Sequence, residues 1–229
     1  MTITRLHICV FLVLAVLVWV VVLLVQGTSV SLPYLAPFGT VVAVLSGFSW
    51  ALEHRLWRMD WLQGWFIKRP DLRGTWRVTI QSDWGNPETP SGPSTIEGYM
   101  GVAQTLSRLQ MHLMTPESES WFIASSIRPS PSDVGFQVVG VYANKPAMLL
   151  RGLRSEMHAG AVVLLSHGEN PARPKSLSGE YWTDRKTAGE ITLTRRVPTV
   201  FTRYEDAHAA LRSQASYVEG RHDDSRPVA

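Results

Sequence analysis

LSGEYWTDRKTAGEITLTRR, residues 177–196, decides how the chain is read. Leu177, Gly179, Tyr181 and Thr183 fall on one face of an extended chain, with Ser178, Glu180, Trp182 and Asp184 on the other. This period of two predicts strands over 177–184 and 189–196, with the RKTAG segment turning the chain between them. The face that carries Tyr181 and Thr183 mixes polar and apolar side chains. A barrel lumen built for a polar ligand calls for such a face, and a sandwich with a ragged core also accommodates it.

The same signature repeats upstream. Residues 74–81, 98–105, 107–114, 120–128, 134–143 and 158–166 read as strands, separated by segments rich in Gly, Pro, Ser and charge. The proline-rich stretch 87–97 reads as a surface loop. Consecutive strands with short links predict antiparallel neighbours. Closure into an eight-stranded, lipocalin-like up-and-down β-barrel over 71–198 removes the edges that a soluble sheet would have to protect. The expected fold class is therefore all-β, preceded by a two-helix transmembrane hairpin.

The hairpin rests on two apolar runs, LHICVFLVLAVLVWVVVLLV at 6–25 and LPYLAPFGTVVAVLSGFSWAL at 32–52. Each reaches about 30 Å as a helix, the thickness of a bilayer core. Arg5 precedes the first run, while Arg55, Arg58, Lys68 and Arg69 follow the second against Glu53 and Asp60. Positive charge marks the cytoplasmic side, so both termini are expected in the cytoplasm. The single cysteine, Cys9, lies inside the first run and has no intramolecular disulfide partner. Gly39, Ala43 and Gly47 recur every fourth residue on one face of the second helix. Such a face either packs on the first span or drives association between chains. Trp57, Trp61 and Trp65, with the same spacing, predict a juxtamembrane helix within residues 53–70. The tail, 199–229, is expected to form a short helix around Ala207–Arg212 and then to be disordered.

Catalytic motifs are missing. The chain carries no G-x-S-x-G elbow, P-loop or dinucleotide fingerprint, and its seven histidines show no metal-ligand spacing. Glu180 and Asp184 lie about 13 Å apart along a strand, too far to act on one bond. The expectation is a protein that is not an enzyme and holds no metal. The net charge of +3 is small and concentrates in residues 53–70, which argues against a long nucleic acid and for anionic headgroups. Trp76, Arg77, Gln104, Arg128, Tyr142, Asn144, Arg154, Tyr181 and Arg185 lie in or near the strands. Arginine suits phosphate, aromatic rings stack on bases and amides read base edges, so the set allows a small phosphorylated ligand. A tethered barrel for an apolar ligand and a membrane scaffold are the competing readings.

Four segments carry a resemblance: VAQTLSRLQMHLMTPESES (102–120), VVGVYANKP (138–146), SEMHAGAVVLL (155–165) and the opening stretch 177–196. With the two apolar runs, the chain resembles the two-transmembrane, β-barrel effectors of bacterial cyclic-oligonucleotide-based antiphage signalling (CBASS). That resemblance implies a multi-pass protein of the bacterial inner membrane whose cytosolic barrel senses a cyclic dinucleotide from a partner nucleotidyltransferase. Binding would promote homo-oligomers that compromise the lipid bilayer and end the infection, with no cofactor beyond the activating ligand. It places the ligand near Gln104, Tyr142, Asn144, Tyr181, Thr183 and Arg185, with Thr183 and Arg185 toward phosphate and a tyrosine against a base. For Asn144 and Gly179 the plainer roles of turn and close strand packing stay open.

Overall fold

Every one of the alternating stretches is a strand in the computed structural model, which describes residues 5–27, 32–83, 94–131, 135–148 and 156–223. The strands are β1 (Gly74–Ser82), β2 (Ser94–Gln104), β3 (Leu109–Met114), β4 (Ser118–Pro129), β5 (Phe136–Pro146), β6 (His158–His167), β7 (Ser176–Thr183) and β8 (Ala188–Val197). Neighbours pair antiparallel in chain order and β8 returns to β1, closing the barrel. A sandwich is thereby excluded. Most of the loop expected at 87–97 lies outside the described residues, and its last four residues are strand.

One row of inward side chains shows how the barrel sorts them. Trp76 lies opposite Met100, Met100 opposite Leu113, Leu113 opposite Ser120, Ser120 opposite Asn144 and Asn144 opposite His158. Strand tilt carries the row from one end of the barrel to the other, and its chemistry changes from indole and thioether to hydroxyl, amide and imidazole. The apolar end is a packed core of Leu72, Trp76, Val78, Val102, Met111, Val138, Leu164, Leu177 and Leu193. The polar end is the mouth.

The base is closed by local hydrogen bonds. Trp76 Nε1 donates to the Leu72 carbonyl at 2.9 Å, and the Arg196 guanidinium sits over the Trp76 ring, 5.2 Å from its centroid. Arg195 is the extra residue of a bulge, with a φ of 46°, where β8 slips by one against β1. That slip is what turns Arg196 toward Trp76.

The chain divides into two units, Met1–Leu62 with Thr105–Ser107, and Gln63–Gln104 with Arg108–Ala229. The first holds α1 (Arg5–Val25) and α2 (Leu32–His54). Among the described residues no helix is long and apolar enough to cross a membrane; described side chains begin at Val13 in α1 and at Gly39 in α2. Many of those that are described are apolar and exposed, among them Val13, Leu17, Val21 and Leu24 in α1, and Val41, Val44, Leu45 and Phe48 in α2. Gly39, Ala43 and Gly47 are exposed, and no described atom lies within 4 Å of a Cβ built at either glycine. At the end of α2, Glu53 Oε1 accepts from the Ser107 hydroxyl at 2.6 Å and from the Ser107 N–H at 3.1 Å.

Two expectations are corrected. The helix within 53–70 is only a 3₁₀ turn over Leu56–Arg58, followed by turns. Trp57 is fully buried while Trp61 and Trp65 are 65% and 71% exposed, so the three do not share a helical face. Met59 is extended and Gly64 takes a φ of 93°, either of which stops a helix. The tail is the second correction. It forms α3 (Tyr204–Asp223), whose Ala207 and Leu211 pack with Tyr99, Met114 and Val197 on the outside of the barrel.

Candidate ligand-binding site

The mouth of the barrel contains a cavity of about 490 Å³. Its floor is apolar, from Ile80, Met100, Val162 and Ile191; its walls carry Phe122, Tyr142 and Tyr181; its rim carries Ser82, Ser120, Asn144, His158, Thr183, Arg185 and Thr187. The volume falls in the range of about 300–1,000 Å³ typical of small-molecule sites, as does the pattern of an apolar body with a few polar groups.

Each tyrosine is seated on a glycine of the next strand. Tyr142 faces Gly160 and Tyr181 faces Gly189 in the register. A Cβ at Gly160 would lie 2.5 Å from the Tyr142 ring, and one at Gly189 would lie 2.9 Å from the Tyr181 ring and 2.0 Å from the Gln81 carbonyl. The glycines therefore let the rings lie flat on the barrel wall and leave the lumen open. Gly179 serves close strand packing, since its Cβ would strike the Val163 carbonyl. The Phe122 and Tyr142 rings stack at 6.5 Å and 23°. Burial, then the neighbouring Tyr181 and Asp184, push the Tyr142 phenol far above its usual range. Burial also raises Tyr181, a hydrogen bond with Ser82 opposing it in part. Both phenols are neutral donors at physiological pH.

The rim is a hydrogen-bonded frame. The Ser120 hydroxyl donates to Asn144 Oδ1 at 2.8 Å, which turns the amide nitrogen toward His158 Nδ1 at 3.4 Å. His158 Nδ1 is closer to the Glu156 carbonyl, at 3.1 Å. Thr183 Oγ1 lies 2.7 Å from Thr187 Oγ1 and accepts the N–H groups of Arg185 and Thr187 at 3.2 and 3.3 Å. Asp184 Oδ2 accepts the Ala159 N–H at 3.1 Å, tying the β7–β8 turn to β6. Arg185 is held at the rim by this turn, 3.5 Å from the Glu156 carbonyl.

Of the residues singled out in the sequence, Tyr142, Asn144, Tyr181, Thr183 and Arg185 meet in this cavity. Gln104 does not. Its Oε1 accepts the Leu72 N–H and its Nε2 donates to the Pro70 carbonyl, both at 2.8 Å, so it fastens the base of the barrel. Thr183 spends its hydroxyl on building the turn. Trp76 is core, Arg77 pairs with Glu97 at 2.8 Å, Arg128 is exposed, and Arg154 lies outside the described residues. The sequence reading missed Ser120 and Phe122, although both sit at inward positions of β4 that face Asn144 and Tyr142. It also missed Tyr204, which reaches the cavity from α3. Among the described residues no group of three or more His, Cys, Asp or Glu side chains is placed to hold a metal.

A closed barrel with an aromatic-walled recess and an arginine, Arg185, at its rim fits a receptor for a small polar ligand. The chain belongs to the family of the Cap15 cyclic dinucleotide receptor domain, whose profile matches residues 67–195, more than half of the chain. It is also similar to the CD-NTase-associated protein 15 of Yersinia aleksiciae, 30% identical over 152 residues. The match covers 65% of this chain and 65% of that relative's length.

Proposed function

We propose that the protein is a membrane-anchored effector of antiphage defence. Its barrel binds a cyclic dinucleotide from a partner nucleotidyltransferase; binding drives homo-oligomers that disrupt the bacterial inner membrane. The observation that carries the binding step is the recess itself. Arg185 and His158 stand on the rim above neutral Tyr142 and Tyr181, which joins a phosphate donor set to rings on which bases stack. Membership of a cyclic dinucleotide receptor family supports the ligand class.

The membrane step is supported by the exposed Val, Leu and Phe side chains of α1 and α2. Left in water, a contiguous apolar surface of this size is a liability; in lipid it is the solvated state. Spans over about 6–25 and 32–52, with both termini cytoplasmic, follow from apolar length and from the basic residues after the second run. The test is a calorimetric titration of the full chain in detergent micelles with a panel of cyclic dinucleotides, followed by dye release from anionic liposomes. Saturable binding of one member, with release dependent on it, is expected. No binding across the panel would overturn the reading.

A further inference from the structure

The outer wall of β4–β7 carries an apolar strip. A bulge at Ile123 shifts the β4–β5 register between Phe122 and Ala124, and Ile123 and Ala124 are both exposed. Ala124 lies opposite Val141, Val141 opposite Ala161 and Ala161 opposite Trp182, one outward row across four strands. Ile123 is 65% exposed, Trp182 49% and Val141 46%. Only a methyl projects from each alanine between them, so the strip alternates bulky and small. A sheet face turned to water is ordinarily polar.

Opposite charges flank the strip on the side of the barrel base. Glu180 of β7 lies directly opposite Glu190 of β8, and both are exposed. Like charges in that register repel, so a cation placed beside them is favourable. Arg128 is exposed at the other flank, on β4. The row also alternates with lumen side chains. Ile123 follows Phe122, Val141 precedes Tyr142, and Trp182 separates Tyr181 from Thr183. One wall thus presents the cavity inward and the strip outward.

We infer that this outer wall is a contact between two copies of the chain, related by a two-fold axis along the strands. It rests on the reading of the protein as a receptor whose ligand drives homo-oligomers. Such an axis lays β4 of one copy over β7 of the other and β5 over β6. Val141 then stands over the methyl of Ala161, Trp182 over the bulge, and Arg128 beside Glu180 and Glu190, each contact occurring twice. The wall fits its own copy in shape and in charge. A lipid surface would accept the strip but would set the two carboxylates against anionic headgroups. Four strands about 4.8 Å apart and about seven residues long cover roughly 400 Å², about half of the ~800 Å² per partner in a stable interface. Single copies therefore stay apart until tethering in one bilayer and the ligand add to the contact. A ligand that orders the wall carrying Phe122, Tyr142 and Tyr181 favours the paired state.

The experiment places the full chain in anionic liposomes with a cyclic dinucleotide that it binds in calorimetry, and reads crosslinked oligomers and dye release. Ile123→Asp is expected to cut the oligomers about tenfold, a loss typical of one buried interface anchor, at parental ligand affinity. Arg128→Glu should do the same, and adding Glu180→Arg should restore oligomers. Arg128 and Glu180 belong to non-adjacent strands of one barrel, so only a second copy lets the swapped pair meet. Gln110→Asp, at an exposed position of β3, should change nothing. Parental oligomers in Ile123→Asp and Arg128→Glu would overturn the contact and leave the receptor reading standing. Parental oligomers with lost dye release in Ile123→Asp would assign the strip to lipid and overturn the contact as well. No binding by the parent chain would overturn both readings.

Discussion

Gln104 and Tyr181 both turn inward from their strands, yet only one of them faces the cavity, and the difference is testable. Gln104 is buried with both ends of its amide bonded to the backbone of Pro70 and Leu72. Gln104→Ala strands a carbonyl and an N–H, a loss of about 1–3 kcal/mol. A lowered midpoint in urea with unchanged ligand affinity is expected; lost affinity at unchanged stability would return Gln104 to the site. Arg185 shows the opposite case, exposed enough at the rim to meet phosphate and anchored by its turn. Arg185→Ala is expected to cut affinity tenfold or more, about 1.4 kcal/mol, with the melting temperature unmoved. Calorimetry and thermal melts on the same sample separate the two. The tyrosines add a pH dependence. Burial raises Tyr142, Tyr181 and Tyr99 above the value of about 10 that they have in the unfolded chain. Their contribution is intact below about pH 10 and is lost as pH rises beyond it, because the unfolded chain ionises first. Melts from pH 7 to 11 should show a fall only at the alkaline end, blunted in Tyr142→Phe.

At the scale of elements, α3 carries its own prediction. Leu211 and Ala207 cover Tyr99, Met114 and Val197, so Leu211→Ala should cost about 2 kcal/mol. Near-unchanged circular dichroism of the strands with a lower melting temperature is the outcome to look for. This helix was only partly legible in the sequence. Its inner stripe consists of the partly buried Tyr204 and the buried Ala207 and Leu211 with polar residues around them, which gives a weak helical period; only the turn around Ala207 was visible. The strands were legible because period two recurs in each of them and one face of each is committed to a lumen. Their ends were not, since β2 and β4 run on past the hydrophobic alternation into polar rim positions such as Ser94 and Ser118. The tryptophan spacing at 57, 61 and 65 misled for a physical reason. A fourfold spacing satisfies a helix, but Met59 and Gly64 hold backbone conformations that a helix excludes. The motif residues on β5 and β7 line one cavity, as their shared inward face implies, while Ser120 and Phe122 escaped because only strand register reveals that they face Asn144 and Tyr142.

At the scale of the whole molecule, a receptor becomes an effector only if its ligand distinguishes two states. A full swing from idle to assembled, from 1:99 to 99:1, requires a preference of about 5.5 kcal/mol for the assembled state if the ligand acts alone. Under the proposed assembly, association between copies would share that requirement, because each added subunit would bias the next. Among the described residues, the face of α2 that carries Gly39, Ala43 and Gly47 is exposed, with no described atom within 4 Å of a Cβ at either glycine. Small residues let helix backbones approach closely in lipid, where packing and not water exclusion holds helices together. Gly47→Leu fills that space with a branched side chain and disturbs nothing described in its own chain. It should leave cyclic dinucleotide affinity as in the parent while abolishing ligand-dependent oligomers, seen by crosslinking in membranes, and with them the dye release. Oligomers and leakage at parental levels would mean that association runs through another surface. Loss of ligand binding in the same variant would mean that the helices already shape the receptor before any ligand arrives.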